Sequence, residues 1–283
     1  MLNILPIALC RDKSHTTGRR RERLLPRPGR PAGAHNGVMD DLASMLERSH
    51  RIVFFGGAGA STESGIPDFR SAAGLYARAD ADGHPPEYLL SRECLAEQPE
   101  AFFAFHRSCL LHPDARPNRA HRALARLEQA GRLVAVVTQN IDALHQAAGS
   151  RVVHELHGSA ARNSCTGCAR QYDMAWMLAS TGVPACEGCG AMVRPDVVLY
   201  GEGLDQRVVD DSIEAIIGCD LLLVGGTSLN VYPAAGLVRF ATGRVALVNR
   251  EPTPYEGLAD LVVHDLLGEA LGCATEGLLG ATG

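Results

Sequence analysis

A glycine-rich stretch that follows a short apolar run places the strongest constraint on how this chain of 283 residues folds. Residues 51–55 are mostly apolar, and the chain then passes through Gly56, Gly57 and Gly59. We predict a buried strand that leaves through the glycines into a helix. Glycine has no Cβ, so the backbone turns tightly and its N–H groups can face a phosphate. Taken alone, however, the glycines are explained more readily by a plain strand-to-helix turn than by a nucleotide site, because the third glycine of a G-x-G-x-x-G motif would fall at Thr62.

The rest of the chain alternates between apolar runs of strand length and helical segments. Residues 133–138, 221–224 and 244–249 are predicted strands, and the amphipathic segment 117–131 is a predicted helix. This alternation is typical of an α/β fold with a doubly wound parallel sheet. Ligands bind such sheets at the carboxyl ends of the strands, where the chain places Gln139-Asn140-Ile141-Asp142.

Four of the nine cysteines form two matched pairs. Cys165 and Cys168 are separated by two residues, as are Cys186 and Cys189, and seventeen residues lie between the pairs. Two such pairs supply four thiolates at tetrahedral geometry, which predicts zinc. Because all four positions are filled by protein, no position is open for a substrate water and the metal is predicted to be structural.

The charge of the chain is unevenly distributed around a net value of −5. Residues 1–38 contain eight Arg or Lys and two acids, and they are rich in Pro and Gly. We expect this segment to be a disordered basic extension, the alternative being a basic arm for nucleic acid or membrane. The apolar start lacks a basic region and a cleavage site, so a cytoplasmic location is expected. No run approaches the ~20 apolar residues that span a membrane, and neither membrane nor direct nucleic-acid partners are predicted.

The glycine stretch is the first of several short motifs that occur along the chain in a fixed order. They are Gly57-Ala58-Gly59-Ala60-Ser61, Ser64-Gly65-Ile66-Pro67-Asp68-Phe69-Arg70, Thr138-Gln139-Asn140-Ile141-Asp142, Leu156-His157-Gly158, the four cysteines, Gly226-Thr227-Ser228 and Val248-Asn249. From about residue 39 to about residue 271, the pattern resembles the sirtuins, NAD-dependent protein-lysine deacylases. The resemblance implies a catalytic domain over 39–283, with a Rossmann-like core (about 39–70, 119–158 and 194–283), a helical module (about 71–118) and a small zinc-ribbon module (about 159–193).

The resemblance also implies a role for individual residues. Catalytic roles are implied for His157, as general base, and for Asn140 and Asp142. The implied NAD site consists of Ala58, Thr62, Phe69, Arg70, Gln139, Ile141, Asp142, His157, Thr227, Ser228, Asn249, Arg250 and Leu267. Pairing with a substrate peptide, as an added strand, is implied for Val198, Tyr200, Gly201 and Glu202.

The implied reaction consumes NAD as a co-substrate. Nicotinamide leaves, the acyl oxygen of a modified lysine captures the ribose carbon, and a neutral imidazole removes a ribose hydroxyl proton. The products are nicotinamide, O-acetyl-ADP-ribose and free lysine. Sirtuins that prefer acidic acyl groups carry a Tyr-x-x-Arg pair in the helical module, which residues 102–109 lack. Acetyl-lysine proteins are therefore the expected substrates.

Alternatives remain open at the level of sequence. The same scaffold suits mono-ADP-ribosyl transfer, removal of longer acyl chains, or binding of NAD or ADP-ribose without catalysis. Only the Leu-His-Gly motif separates His157 from the nearby His154. Asp142 alone is equally well explained as a helix N-cap. The sequence predicts no oligomeric state.

Overall fold

The computed structural model of the protein describes residues 34–69, Gly74 and 83–279. Within these ranges the strands are β1 (Ile52–Gly56), β2 (Leu133–Thr138), β3 (Val153–Glu155), β4 (Gly158–Cys165), β5 (Gln171–Asp173), β6 (Val193–Val197), β7 (Leu221–Gly225), β8 (Arg244–Val248) and β9 (Leu261–Val263). The helices are α1 (Ala34–Glu47), α2 (Pro86–Leu89), α3 (Arg92–Glu97), α4 (Pro99–Cys109), α5 (Arg119–Gln129), α6 (Leu144–Ala147), α7 (Met174–Ala179), α8 (Gln206–Ile217) and α9 (Leu267–Leu279). Short 3-10 segments lie at Ala58–Ala60, Thr62–Ser64, Ala234–Phe240 and Glu256–Leu258.

The main sheet has six strands in the order β3-β2-β1-β7-β8-β9, and every pairing is parallel. Strands β1 and β7 are buried along their whole length, which explains why they appear in the sequence as apolar runs. The strand order reverses between β1 and β7, and the crevice at their carboxyl ends is where such sheets bind ligands. The predicted doubly wound, Rossmann-like sheet is confirmed.

Apolar side chains cover both faces of this sheet. Phe54 packs with Leu46 of α1 and Leu124 of α5 on one face, while Phe55, the next residue, packs with Ile216 of α8 on the other. All five of these side chains are fully buried. Burial of such a side chain contributes about 1.5–3 kcal/mol relative to its exposed state. Packing on both faces therefore fixes the position of the β1 exit.

A second, antiparallel sheet has the order β5-β4-β6. A third apolar cluster joins it to the helical segment α2–α4, through buried side chains that include Phe102, Phe103, Met177 and Val193. The small sheet ends in the predicted zinc cysteines and the helical segment contains no strand among its described residues. The predicted zinc-ribbon module and helical insertion are thus both present in the fold.

The structure corrects two local expectations. Helix α1 begins at Ala34, so residues 34–38 are helical where disorder was predicted; the helix is anchored in the core by Leu42 and Leu46 and propagates toward its amino end. Residues 1–33 lie outside the described part of the chain. The glycine stretch leads into 3-10 turns and not into an α-helix, and the segment after β7 is also 3-10. No helix in the described ranges is long and apolar enough to cross a bilayer.

Candidate active site

Two glycine turns contact each other backbone to backbone at the reversal of strand order. The N–H of Gly59, after β1, donates to the oxygen of Gly226, after β7, at 2.8 Å. A Cβ at Gly59 would lie 2.8 Å from that same oxygen, and Gly226 has a left-handed φ of +59°. Only glycine satisfies both constraints. This contact holds the two turns together across the crevice.

Helix α5 supports the glycine turn from behind. Asn118 caps the helix by accepting from the N–H of Ala120 at 2.9 Å, and its side-chain amide donates to the oxygen of Ala60 at 2.7 Å. Sequence reasoning did not assign Asn118 to the site. An Asn directly before an amphipathic helix is a capping signal, but its second partner lies in another part of the chain.

Ser61 connects two of the predicted catalytic residues. The amide of Asn140 donates to the Ser61 hydroxyl at 3.0 Å, and that hydroxyl donates to Oδ2 of Asp142 at 2.6 Å. The other carboxylate oxygen, Oδ1, accepts from the N–H of Leu144 at 2.9 Å. The N-cap residue of α6 is Ala143, so Asp142 is not the helix cap that the alternative expected. Its carboxylate accepts from the first N–H of α6 and belongs to a polar network at the crevice. Sequence reasoning placed Ser61 beside the turn but did not assign it to the site.

Gln139 joins both glycine turns to His157. Its N–H donates to the oxygen of Gly56 at 3.0 Å, and its side-chain amide donates to Thr227 Oγ1 at 3.1 Å. Its backbone oxygen lies 2.9 Å from Nδ1 of His157. A carbonyl oxygen only accepts, so Nδ1 carries the proton and Nε2 of the neutral ring carries the lone pair. Burial lowers the pKa of His157, and the bond to Gln139 opposes this in part.

An apolar wall lies beside this polar network. Phe69 and Ile141 both pack against the third apolar cluster, and the backbone oxygen of Ile141 accepts from the N–H of Ala160 at 2.9 Å. Thr62 holds its own turn by donating its hydroxyl to the oxygen of Gly59 at 3.0 Å. Arg70 lies outside the described residues. The crevice therefore has apolar side chains, Phe69 and Ile141, next to the hydrogen-bonding network of Ser61, Asn140 and Asp142.

The four zinc cysteines converge at one point of the small sheet. All four sulfurs lie within 4.8 Å of one another, with 3.3 Å between Cys165 and Cys189 and 3.6 Å between Cys168 and Cys186. Tetrahedral zinc with Zn–S bonds of about 2.3 Å places its sulfurs about 3.8 Å apart. The N–H groups of Gly167 and Cys168 point at the sulfur of Cys165, each at 3.4 Å. The donor set and its spacing fit a structural zinc ion.

Comparison with known proteins decides the family. A sequence model of the Sir2 family matches residues 57–233, more than half of the chain. The chain belongs to the Sir2 family. This confirms the resemblance to the sirtuins.

Two relatives carry the name NAD-dependent protein deacetylase. The one from Cutibacterium acnes is 56% identical to this Sir2 protein over 233 residues, which covers 82% of this chain and 95% of the relative. The one from Clostridium acetobutylicum is 49% identical over 235 residues, with 82% and 96% coverage. Each relative is thus matched over nearly its whole length.

Solved Sir2 structures share the fold. A structure reported for the mechanism and regulation of Sir2 enzymes has a TM-score of 0.76 and 40% identity, covering 85% of this chain and 97% of that chain. A Sir2 variant with a deacetylated p53 peptide and 3′-O-acetyl ADP-ribose has a TM-score of 0.77 and 34% identity, with 86% and 99% coverage. A Sir2 enzyme bound to a propionylated peptide has a TM-score of 0.74 at 34% identity, with the same two coverages.

The residues predicted for the adenosine half of NAD are spread over three elements. Ser228 follows β7 next to Thr227, and Asn249 and Arg250 follow β8. Arg250 is exposed, and the side-chain amide of Asn249 donates to the oxygen of Glu251 at 2.6 Å. Leu267 is only 3% exposed and belongs to the core cluster, where it packs against Gly225. Leu267 is therefore a predicted site residue whose side chain is part of the hydrophobic core.

The predicted substrate residues lie in a segment that we call the peptide edge, residues 198–202. Its first residue donates its N–H to the oxygen of His157 at 2.9 Å. Tyr200 pairs with the helical segment through both backbone groups: its N–H donates to Leu90 at 3.0 Å, and its oxygen accepts from Arg92 at 3.0 Å. The peptide edge thus runs from the backbone of His157 to the helical segment.

Proposed function

We propose that this Sir2 protein is an NAD-dependent protein-lysine deacetylase that transfers the acetyl group to ADP-ribose. The observation that carries the proposal is the position of His157, which is held by Gln139 and whose backbone bonds the peptide edge. A proton-accepting imidazole therefore lies between the predicted dinucleotide crevice and the predicted peptide site. The names of the relatives, NAD-dependent protein deacetylase, support the same reaction.

The crevice residues suit a dinucleotide. The two glycine turns allow a pyrophosphate to approach the backbone closely, and Thr227 and Ser228 add hydroxyls beside them. The carboxylate of Asp142 accepts from a nicotinamide carboxamide beside the apolar Ile141 and Phe69. NAD, when bound, supplies the leaving nicotinamide and the ribose carbon that accepts the acyl oxygen. Ala58, Thr62, Arg70, Gln139, Asn249, Arg250 and Leu267 complete the proposed NAD site.

Proton transfer at this site depends on His157. Its Nδ1 is occupied by the oxygen of Gln139, so Nε2 is the atom that takes a proton from a bound hydroxyl. Burial lowers the pKa of the imidazole, so at physiological pH the ring is neutral and able to accept a proton. Asn140 and Asp142, joined through Ser61, orient the reacting end of the cofactor.

The substrates in this proposal are proteins with acetylated lysines, which pair with the peptide edge as an added strand. The zinc held by Cys165, Cys168, Cys186 and Cys189 stabilises the small sheet and takes no part in the chemistry. A cytoplasmic location belongs to the proposal because reducing compartments keep cysteine thiols unpaired and available to a metal. The boundaries at residues 71–118 and 159–193 are proposed as those of the helical and zinc-ribbon modules.

Mass spectrometry of a reaction with an acetyl-lysine peptide and NAD tests the proposal. We expect nicotinamide, O-acetyl-ADP-ribose and free peptide in equal amounts. Label transferred from NAD to the protein would indicate ADP-ribosyl transfer. Faster turnover of peptides with long acyl chains would indicate a longer-chain deacylase, and binding of NAD without turnover would indicate a binding module. Each of these three outcomes would contradict the proposal.

A pair of histidine variants tests the assignment of the base. His157→Ala should lose activity while it keeps its fold and zinc content. His154→Ala is the matched control, because His154 lies three residues earlier and is half-buried. Burial lowers its pKa and Asp211 opposes this, so the groups that act on it are not those of the crevice. We expect the control to keep nearly full activity, and equal losses in both variants would argue against His157 as the base.

A further inference from the structure

Glu202, predicted to contact a substrate peptide, has its carboxylate engaged within the protein. Its Oε1 accepts from Nη1 of Arg194 at 2.7 Å, and its Oε2 accepts from Nη2 of Arg194 at 3.1 Å. Oε2 also accepts from the N–H of Leu199 at 2.9 Å. Two parallel bonds between a guanidinium and a carboxylate form the strongest and most directional type of ion pair. The side chains of Arg194 and Glu202 are 27% and 25% exposed, so water screens the pair only in part.

These contacts close a turn in the peptide edge. The N–H of Glu202 donates to the oxygen of Leu199 at 2.9 Å, and Gly201 has a left-handed φ of +86°. This is the arrangement of a type II turn, in which glycine occupies the third position. The carboxylate of Glu202 folds back onto the first residue of the same turn. The conformation of the edge therefore depends on the placement of this carboxylate.

Arg194 links the turn to the zinc-bearing sheet. It lies on β6, where it pairs with Ser164 of β4, next to the pair of Val193 with Cys165. Its Nη2 also donates to the oxygen of Val197, the last residue of β6, at 3.0 Å. A single guanidinium thus bonds the end of β6 and the carboxylate of Glu202.

From this geometry we infer that Arg194 is a positioning residue for the protein substrate, which holds the peptide edge in its strand-pairing conformation through Glu202. Arg194 does not contact the substrate in this scheme. Because the peptide edge is already ordered in the folded protein, peptide binding does not have to include the unfavourable entropy of ordering it. The inference rests on the proposed function, since it assumes that a peptide pairs with residues 198–202.

Binding of a fluorescent acetyl-lysine peptide, measured by anisotropy with ADP-ribose present, tests the inference without requiring turnover. Arg194→Met removes the guanidinium but keeps an apolar stem, and we expect the peptide Kd to rise about tenfold, as for loss of a charged hydrogen bond. Glu202→Gln should raise it to a similar extent, and the double variant should add little, because both changes break one interaction. Arg194→Lys, which keeps the charge but loses the fork, should recover part of the affinity.

Steady-state kinetics distinguish a role of Arg194 in positioning the peptide edge from a general loss of protein stability. The KM for the peptide should rise with the Kd, while the KM for NAD and kcat stay within about twofold of the wild type. Arg162→Met is the matched control: Arg162 lies on β4 of the same small sheet and pairs with Glu155 of β3 at 2.8 Å. Among the described residues it forms no hydrogen bond or ion pair with the peptide edge. This control should leave both KM values unchanged even if it lowers the melting temperature.

The outcomes are distinguishable from those of the proposed function. An unchanged peptide Kd in Arg194→Met, or equal rises in both KM values, would overturn the positioning role. A wild-type protein that binds the peptide without deacetylating it would overturn the proposed function alone. A wild-type protein that binds no acetyl-lysine peptide would overturn both.

Discussion

His157 donates its Nδ1–H to the backbone oxygen of Gln139 at 2.9 Å, which leaves Nε2 as the nitrogen with the lone pair. Burial lowers the pKa of this ring below its usual value. A lowered pKa means that the ring stays neutral to a more acidic pH. We therefore predict that kcat/KM is level from neutral pH to below about pH 6.5, the ordinary histidine pKa, and falls only at lower pH. A profile of kcat/KM against pH measures this, and an acid limb centred above that value would contradict the assignment.

Ser61 bridges Asn140 and Asp142, and its removal should disrupt the reacting end of the crevice. We predict that Ser61→Ala lowers kcat/KM by about tenfold to a hundredfold, since the buried Asn140 and the half-buried Asp142 lose their shared partner. Ser64→Ala is the matched control, because the Ser64 hydroxyl is buried and has no hydrogen-bond partner among the described residues. Steady-state kinetics of both variants check this, and equal activities would exclude a role for the bridge.

Three buried histidines make stability depend on pH. Burial lowers the pKa of His106 to about 4, with a smaller contribution from Arg107, and burial likewise lowers His121 to about 4 and His145 to about 3. Between pH 6.5 and these values the unfolded chain binds protons that the folded protein does not, so stability falls as pH falls.

His106→Phe isolates one of these contributions. The ring of His106 is fully buried, stacks on Phe102, and has no hydrogen-bond partner at either nitrogen among the described residues. We predict that the variant loses about 2 kcal/mol less stability than the wild type between pH 8 and pH 5. Urea unfolding at the two pH values measures this. Parallel pH dependence in both proteins would mean that His106 does not stay neutral when folded.

Tyr172 supports the zinc centre from outside. Its hydroxyl donates to the sulfur of Cys186 at 3.2 Å and accepts from the N–H of Glu187 at 3.0 Å. The bond from Tyr172 is the largest cause that lowers the pKa of the Cys186 thiol, to about 6. We predict that Tyr172→Phe loses zinc to a chelator about tenfold faster than the wild type. Tyr88→Phe, in the helical segment, is the control, and equal release rates in the two variants would contradict a supporting role.

Strands and metal ligands were predictable because their signals are local. The bounds of β2 agree with the predicted strand 133–138, since a strand buried in a parallel sheet appears as an apolar run. The four cysteines were recognised from spacing alone. These features depend on neighbours in the sequence, and the fold needed little more than their order.

Contacts between distant residues were not predictable in the same way. Ser61 and Asp142 are 81 residues apart, and nothing local to Ser61 indicates that partner. The turn after β1 also bonds a distant partner, since the N–H of Gly59 donates to the oxygen of Gly226. In each case a long-range partner, absent from any local pattern, decides the outcome.

The meeting of Gly59 and Gly226 has a consequence for how this protein can vary. The backbone of each turn packs directly against the backbone of the other. A methyl group added to either glycine would therefore push the ends of β1 and β7 apart. Neither loop can be lengthened, exchanged or remodelled by itself. Mutational change in this half of the crevice must either leave both turns alone or alter them as a pair.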